Sequence, residues 1–164
     1  MRGYGLFALC SVGLAGLLVA CSGKPSVSKE LLDLCRSSDL GDRSSAAADF
    51  ALSGAQAVDY VEIGLADASA NCRWTAAGAA ALLGTEANRL LSSLQMLKES
   101  DSNPSVRQMA QMAAHKVGGP AAGEPPDTVS LGVDSEAGAV SLSVEPDDML
   151  QGLRNVVEKR RNSK

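Results

Sequence analysis

Three stretches of the chain repeat one spacing around an arginine. Arg43, Arg73 and Arg107 lie 30 and 34 residues apart. Each precedes an alanine by three positions and a glycine by eleven, and these residues are Ala46, Ala76, Ala110, Gly54, Gly84 and Gly118. Self-similarity at a period of roughly 20 to 50 residues is typical of solenoids, in which each unit buries its apolar face against its neighbours.

Each arginine-to-glycine stretch predicts a helix of about three turns that ends at the glycine. A second amphipathic segment precedes it in the later two units. Its apolar residues fall on one helical face at Val58, Val61 and Leu65, and at Leu90, Leu94 and Leu97. Short polar stretches separate the two segments, so the predicted unit is helix, turn, helix.

This unit resembles the HEAT-like repeat family, whose pattern is an apolar first helix, an aspartate in the turn, arginine, spaced alanine and a final Leu-Gly. The matching residues in the second unit are Asp67, Arg73, Ala76 and Leu83-Gly84, and in the third Asp101, Arg107, Ala110 and Val117-Gly118. In the first unit Ser37 replaces the aspartate and the first helix is short, which suits an N-terminal capping unit.

The resemblance implies an all-α solenoid of about three helix pairs over residues 29–119, divided at about 29–54, 55–84 and 86–119. In this family the turn aspartates and the arginines form a hydrogen-bonded ladder between successive turns. The resemblance therefore implies structural roles for Asp67, Arg73, Asp101 and Arg107.

The composition is consistent with such a stack. Of the 164 residues, 45% are hydrophobic but only 3% are aromatic, so the apolar content comes from alanine, leucine and valine. A single compact core of this size would need bulkier side chains. Alanine-rich helices instead approach one another closely, and each unit needs to bury only one face.

The repeat also places two cysteines. Cys35 holds the offset that Leu65 has in the second unit, and Cys72 holds that of Val106 in the third. Both thiols are therefore predicted to face inward, in adjacent units and near the turns. A Cys35–Cys72 disulfide and two buried free thiols are both compatible with this placement.

One aromatic residue departs from the repeat. Trp74 follows Arg73 at a position where the other units have Ser44 and Gln108. Because tryptophan is favoured at binding hot spots, Trp74 is a candidate partner contact. The alternative is that it fills a gap left by the small residues around it.

The first 20 residues predict an export signal. Arg2 precedes an uncharged, mostly apolar run that ends near Val19 and is too short for a comfortable bilayer span. The run leads into Leu18-Val19-Ala20-Cys21, which resembles the lipobox of bacterial lipoprotein precursors. The resemblance implies that residues 1–20 are removed, that Cys21 receives diacylglycerol and a further acyl chain such as palmitate, and that residues 21–28 form a tether.

The residue after the lipobox bears on localisation. In two-membrane bacteria the lipoprotein family uses aspartate there for retention at the inner membrane, and this chain has Ser22. The resemblance therefore implies the periplasmic face of the outer membrane, or the outer face of the plasma membrane in a one-membrane bacterium.

The segment after Gly119 differs from the repeats. Residues 120–127 are rich in proline and glycine and predict a linker. Two runs of alternating apolar residues around a glycine-containing loop predict a β-hairpin over 128–144. Residues 146–161 predict an amphipathic helix, which either covers the open end of the solenoid or docks on a membrane or partner.

The sequence argues against several kinds of site. A net charge of −4 disfavours a generic nucleic-acid binder. The single histidine, His115, excludes a multi-histidine metal site, and two mature thiols besides Cys21 are too few for zinc. The sequence contains no phosphate-cradling glycine loop and no recognisable nucleophile–base spacing. We therefore expect no catalytic residue, metal or cofactor.

The expected function is that of a membrane-anchored, non-catalytic protein–protein interaction or scaffold module, which binds an unknown protein partner in the cell envelope through its repeat surface. One alternative is a structural or assembly subunit of an envelope complex. A less favoured one is a small-ligand binder or an enzyme-associated HEAT-like protein.

Overall fold

The computed structural model of the chain describes residues 29–123, 125–127, 129–130 and 143–163. This part is mostly helical, as the sequence predicts. Its helices are α1 (Lys29–Arg36), α2 (Leu40–Leu52), α3 (Val58–Leu65), α4 (Ala70–Leu83), α5 (Leu91–Ser100), α6 (Pro104–Gly118) and α7 (Pro146–Arg161). Two short strands, β1 (Val129–Ser130) and β2 (Ser143–Val144), pair antiparallel with Val129 opposite Val144.

The helices pack as consecutive pairs, α1 with α2, α3 with α4 and α5 with α6. The second helices also contact one another in chain order, α2 with α4 and α4 with α6. The predicted inward faces are buried at Val58, Val61, Leu65, Leu90 and Leu94, and Leu97 is partly buried. Helix α4 lies at the centre of these contacts, and every residue from Trp74 to Ala81 in it is buried.

Small side chains allow this central helix to be enclosed. Apart from Trp74 and Thr75, the buried stretch of α4 consists of alanine and glycine. Helix α3 approaches it so closely that a Cβ added at Gly64 would lie 2.8 Å from the Cβ of Ala76. Because real Cβ atoms do not approach so closely, glycine at 64 is required by the distance between the two helices.

Glycines end the second helices, with one difference from the predicted positions. Gly54 and Gly84 follow α2 and α4 with φ of +59° and +56°, a left-handed conformation that glycine adopts without steric cost. In the third unit Gly118 remains helical, and Gly119 takes the left-handed φ of +66°. Gly118 packs instead against Leu91, because an added Cβ would lie 2.9 Å from that side chain.

Polar side chains cap the N-termini of two of the second helices. The Oδ1 of Asp39 accepts a hydrogen bond from the backbone N–H of Asp42 at 2.9 Å, at the start of α2. The Oδ1 of Asn103 accepts from the N–H of Ser105 at 2.8 Å, and Pro104 is the first residue of α6. Both arrangements satisfy donors that the helix itself leaves unpaired.

Helix α7 occupies a place that the sequence did not indicate. It packs against α2 and α4, on the face that the second helices form. Its buried residues are Met149, Leu150 and Leu153. Gly78 of α4 leaves the space for this contact, since an added Cβ there would lie 3.7 Å from Leu153.

The predicted hairpin over 128–144 lies largely outside the described residues, as do residues 131–142, which include its loop. The hairpin therefore stays a prediction beyond the short β1–β2 pairing. The predicted signal, Cys21 and the tether also lie outside the described residues. Within the described part, no helix combines the length and the apolar character needed to cross a membrane.

Candidate functional site: the turn edge and the second-helix face

The turns between the helices of each pair lie along one edge of the stack, and an arginine of α4 bonds two of them together. We call residues 37–39, 66–69 and 101–103 the turn edge. The Nε and Nη2 of Arg73 donate to the carboxylate of Asp101 at 2.7 and 3.0 Å. The Nη1 of Arg73 donates to the carbonyls of its own turn, Asp67 and Ala68, both at 2.9 Å. One guanidinium therefore fixes its own turn and the next one.

The ion pair between these residues is shielded from water. The side chain of Asp101 is 2% exposed and that of Arg73 is 15% exposed. Burial alone would raise the pKa of Asp101, but hydrogen bonds from Arg73 and from the N–H of Asn103 outweigh it, so the pKa of Asp101 is lowered. The hydrogen bond to Asp101 raises the pKa of Arg73. The folded chain therefore favours the charged form of both groups.

The junction between the first and second units uses different residues. Arg36, at the end of α1, donates to Asp67 at 2.6 Å, and this bond lowers the pKa of Asp67. Arg43 donates to the carbonyl of Ser37 at 3.4 Å and to the Oδ1 of Asn71 at 3.0 Å. At this junction the ion pair is therefore made by Arg36 and not by Arg43, the arginine of the repeat. The side chain of Arg36 is 44% exposed.

The third arginine of the repeat, Arg107, holds its own turn as Arg73 does. Its Nη1 donates to the carbonyls of Asp101 and Ser102 at 2.7 and 3.2 Å. Among the described residues, no carboxylate accepts from its Nε or Nη2. The predicted ladder residues are therefore brought together at Asp67, Arg73 and Asp101, and Arg107 is the last member.

Trp74 lies in the core with 1% exposure. The guanidinium carbon of Arg43 lies 5.2 Å from the centre of its ring, within the range of a cation–π contact. In this conformation the indole is enclosed and presents no surface to a partner. The structure therefore favours the gap-filling alternative for Trp74 over the partner contact.

Cys35 and Cys72 are buried side by side as free thiols. A hydrogen bond between the two thiols, together with burial, raises the pKa of Cys35. The same bond lowers the pKa of Cys72, although burial opposes it. The offsets taken from the repeat therefore placed both thiols inward and adjacent. The disulfide between them stays a prediction.

The second candidate surface is the face formed by α2, α4 and α6, which we call the second-helix face. Helix α7 lies across it, from α6 towards α2. At one end Lys116 of α6 pairs with Asp147 at 3.1 Å. In the middle Leu153 faces Gly78. At the other end Arg160 pairs with Asp49 of α2.

The seam between α7 and the second-helix face is incompletely filled. A cavity of about 230 Å³ on one side of α7 is lined by Ala51, Leu82, Arg154, Val157, Glu158 and Arg161. A larger one of about 600 Å³ lies between the start of α2 and the end of α7. Only the N-terminal half of α7 contributes fully buried side chains. The face therefore accepts an amphipathic helix through a few apolar contacts and two terminal ion pairs.

The described residues contain no group of three or more histidine, cysteine or carboxylate side chains placed to hold a metal ion. His115 bonds through Nδ1 to the carbonyl of Gly123 at 2.9 Å, which joins the end of α6 to the segment after it.

Three contributors to the turn edge were missed by the sequence analysis: Arg36, Asn71 and Asn103. The available signal for Arg36 was its place beside Ser37, which replaces the aspartate that the other two turns have at that position. Asn71 and Asn103 lie in the predicted turns but carry no charge, so the spacing of charged residues did not select them. All three act through hydrogen bonds between units or at helix starts.

Comparisons with models of known protein families, with curated proteins and with solved structures find no match to this chain.

Asp101→Asn is expected to lower the free energy of unfolding at pH 7 by about 2 to 4 kcal/mol, because it leaves Arg73 without its shielded charge partner. Asp67→Asn should cost less, about 0.5 to 1 kcal/mol, since the side chain of Arg36 is more exposed than that of Arg73. Asparagine keeps the Oδ1 that accepts the backbone N–H in both turns. Urea denaturation measures the free energy of unfolding of both variants, and equal losses would contradict the proposed difference in shielding.

The same pair predicts a pH dependence. Because the folded pKa of Asp101 is lowered, its stabilisation is present above the unfolded value near 3.8 and is lost as the pH falls through the folded pKa. The free energy of unfolding of the wild type should therefore fall more steeply below about pH 4 than that of Asp101→Asn. Parallel curves for the two proteins would contradict a lowered pKa at this residue.

Proposed function

We propose that this chain is a lipid-anchored, non-catalytic interaction module of the bacterial cell envelope, which binds a helix of a partner protein on its second-helix face. The observation that carries the proposal is the position of α7. An amphipathic helix of the chain itself lies across α2 and α4. A surface that holds one such helix has the shape and chemistry to hold another.

The contacts of α7 define what a partner helix needs. Its apolar stripe begins with Met149, Leu150 and Leu153, which are the side chains that the face buries. Asp147 near its start pairs with Lys116, and Arg160 near its end pairs with Asp49. A partner helix is therefore expected to carry an apolar stripe, an acidic start and a basic end.

The contacts that hold α7 suit its exchange for a partner helix. Both terminal ion pairs are partly exposed to solvent, and ion pairs at a protein surface typically contribute at most about 1 kcal/mol each. Three buried apolar side chains supply most of the remaining affinity, and cavities flank the helix. A partner helix with a longer apolar stripe would bury more surface and displace α7.

The finer architecture within this proposal is a short HEAT-like solenoid of three helix pairs with a C-terminal hairpin. The solenoid is supported by the repeated spacing of Arg43, Arg73 and Arg107 and by the contacts between successive second helices. The ladder at Arg73 and Asp101 is the kind of bond that the family resemblance implies. The hairpin is supported by the alternation over 128–144.

The membrane anchor is supported by the sequence of residues 1–22. Export with lipid attachment at Cys21 would place the repeats outside the cytoplasm, at the periplasmic face of the outer membrane in a two-membrane bacterium. The tether of residues 21–28 would then separate the first helix, which begins at Lys29, from the membrane surface.

Metabolic labelling tests the anchor. In a bacterium that processes lipoproteins, the full-length chain should incorporate an alkyne-tagged palmitate, and Cys21→Ser should incorporate none. Cys10→Ser is the matched control, since Cys10 lies in the segment that is removed, and it should keep the label. Equal labelling of Cys21→Ser and the wild type would contradict the anchor.

A peptide supplied in trans tests the second-helix face. Leu153→Asp in the full-length chain should release α7, because a charge cannot be buried against Gly78 without a partner. A fluorescent peptide of residues 145–163 should then bind this variant at least ten-fold more tightly than it binds the wild type, whose own helix competes. Fluorescence anisotropy measures both affinities.

Asn155→Asp is the control for added charge, since residue 155 is exposed on the same helix. This variant should bind the peptide no better than the wild type. A peptide carrying Leu153→Asp should bind none of the three chains. Failure of the wild-type peptide to bind the Leu153→Asp chain, with its circular dichroism unchanged, would contradict the proposed function.

A further inference from the structure

Within the described residues, Arg107 is the last arginine along the turn edge. Its guanidinium is held by the same kind of hydrogen bonds as that of Arg73. In both residues Nη1 donates to the carbonyls six and five positions earlier, Asp67 and Ala68 for Arg73, and Asp101 and Ser102 for Arg107. The distances are 2.9 and 2.9 Å in the first case and 2.7 and 3.2 Å in the second. The two guanidinium groups are therefore oriented alike relative to their own turns.

That orientation fixes where the remaining donors point. A guanidinium is planar, so two bonds at Nη1 set the directions of Nε–H and Nη2–H as well. In Arg73 these two donors form a fork on the carboxylate of Asp101. In Arg107, which is half-buried, no acceptor for them is found within the described residues. The Nε–H and Nη2–H donors of Arg107 are therefore already oriented to bind a carboxylate.

The chain itself shows what ligand such a fork takes. The carboxylate of Asp101 also accepts the N–H of Asn103 at 2.9 Å, and that of Asp67 accepts the N–H of Ser69 at 2.8 Å. Each acid that meets an arginine from the preceding unit is therefore the first residue of an Asp-x-Asn or Asp-x-Ser turn. The turn's own N–H holds the carboxylate in place for the fork.

A second copy of this chain is a poor occupant. The turn of its first unit would present Ser37 in place of an aspartate, and the Ser37 hydroxyl already donates to Asp42 at 2.8 Å. Asp39 caps α2 through the N–H of Asp42. Head-to-tail stacking of copies would also generate an open filament, and the missing aspartate disfavours it.

We propose that Arg107 is a carboxylate-binding site at the open end of the turn edge, and that its ligand is the aspartate of an Asp-x-Asn or Asp-x-Ser turn on a partner protein. This site is distinct from the second-helix face and does not depend on the displacement of α7. The pair that forms there would be bidentate, as at Arg73 and Asp101.

Nuclear magnetic resonance of the arginine Nε–H groups tests the site in the full-length chain in detergent micelles. The probe is the acetylated peptide Asp-Ser-Asn-Pro amide, and the control peptide carries asparagine in place of aspartate. The Nε–H signal of Arg107, assigned from its loss in Arg107→Lys, should shift saturably with the aspartate peptide in the low millimolar range. The asparagine peptide should bind at least ten-fold more weakly.

Arg154 supplies the internal reference, because it is an exposed arginine in the same sample. Its signal should show no saturable shift. Arg107→Lys keeps the charge but lacks the fork, so it should lose the peptide-induced shifts of neighbouring backbone signals while its circular dichroism spectrum stays that of the folded chain.

Two results would overturn the proposal. The first is an Arg107 shift that matches that of Arg154 or is the same for both peptides, which would indicate an unspecific ionic effect. The second is a change in the peptide-free Arg107 signal in Asp134→Asn or Glu136→Gln, which would assign the fork to an acid of the chain itself.

Discussion

The fork between Arg73 and the shielded carboxylate of Asp101 is the contact on which the geometry of the stack depends. Of the 31 buried apolar residues that the structure describes, 14 are alanine, whose contacts stabilise through burial but have little directional preference. Helices with such smooth surfaces can slide past one another at little cost. Directional hydrogen bonds from one guanidinium to its own turn and the next remove that freedom. The turn edge therefore sets the register, and the small residues permit the close packing.

The same small residues explain the second-helix face. Gly78 and the alanines around it let α4 be enclosed, and they also leave a shallow surface that can accept another helix. Helix α7 uses this surface with three buried apolar side chains. Among the described residues, no carboxylate accepts a hydrogen bond from the Nε or Nη2 of Arg107 at the end of the turn edge.

Sequence reasoning predicted the burial of residues at positions that are equivalent in successive units of the repeat. Cys35 was predicted to face inward because it holds the offset of Leu65, and Cys72 because it holds that of Val106, since equivalent positions of a repeat are expected to share an environment. It failed where the units differ. The doubled glycine after Val117 allowed two helix ends, and packing of Gly118 against Leu91 selected the later one.

Other features depend on contacts that no local pattern encodes. Arg43 meets the ring of Trp74 because two helices of different units pack together, and Arg36 reaches Asp67 for the same reason. The apolar stripe of α7 predicted an amphipathic helix but could not say which surface it covers. The lipobox rests on residues outside the described part, so the anchor is a prediction from sequence chemistry alone.

The most direct test of this account is a double-mutant cycle on Arg73→Gln and Asp101→Asn, with Arg36→Gln and Asp67→Asn as the reference pair. The measured quantity is the coupling free energy of unfolding at pH 7. If the shielded fork sets the register, the coupling between residues 73 and 101 should be at least about 1.5 kcal/mol, and that of the more exposed reference pair below about 1 kcal/mol. Additive effects at 73 and 101, within about 0.5 kcal/mol, would contradict it.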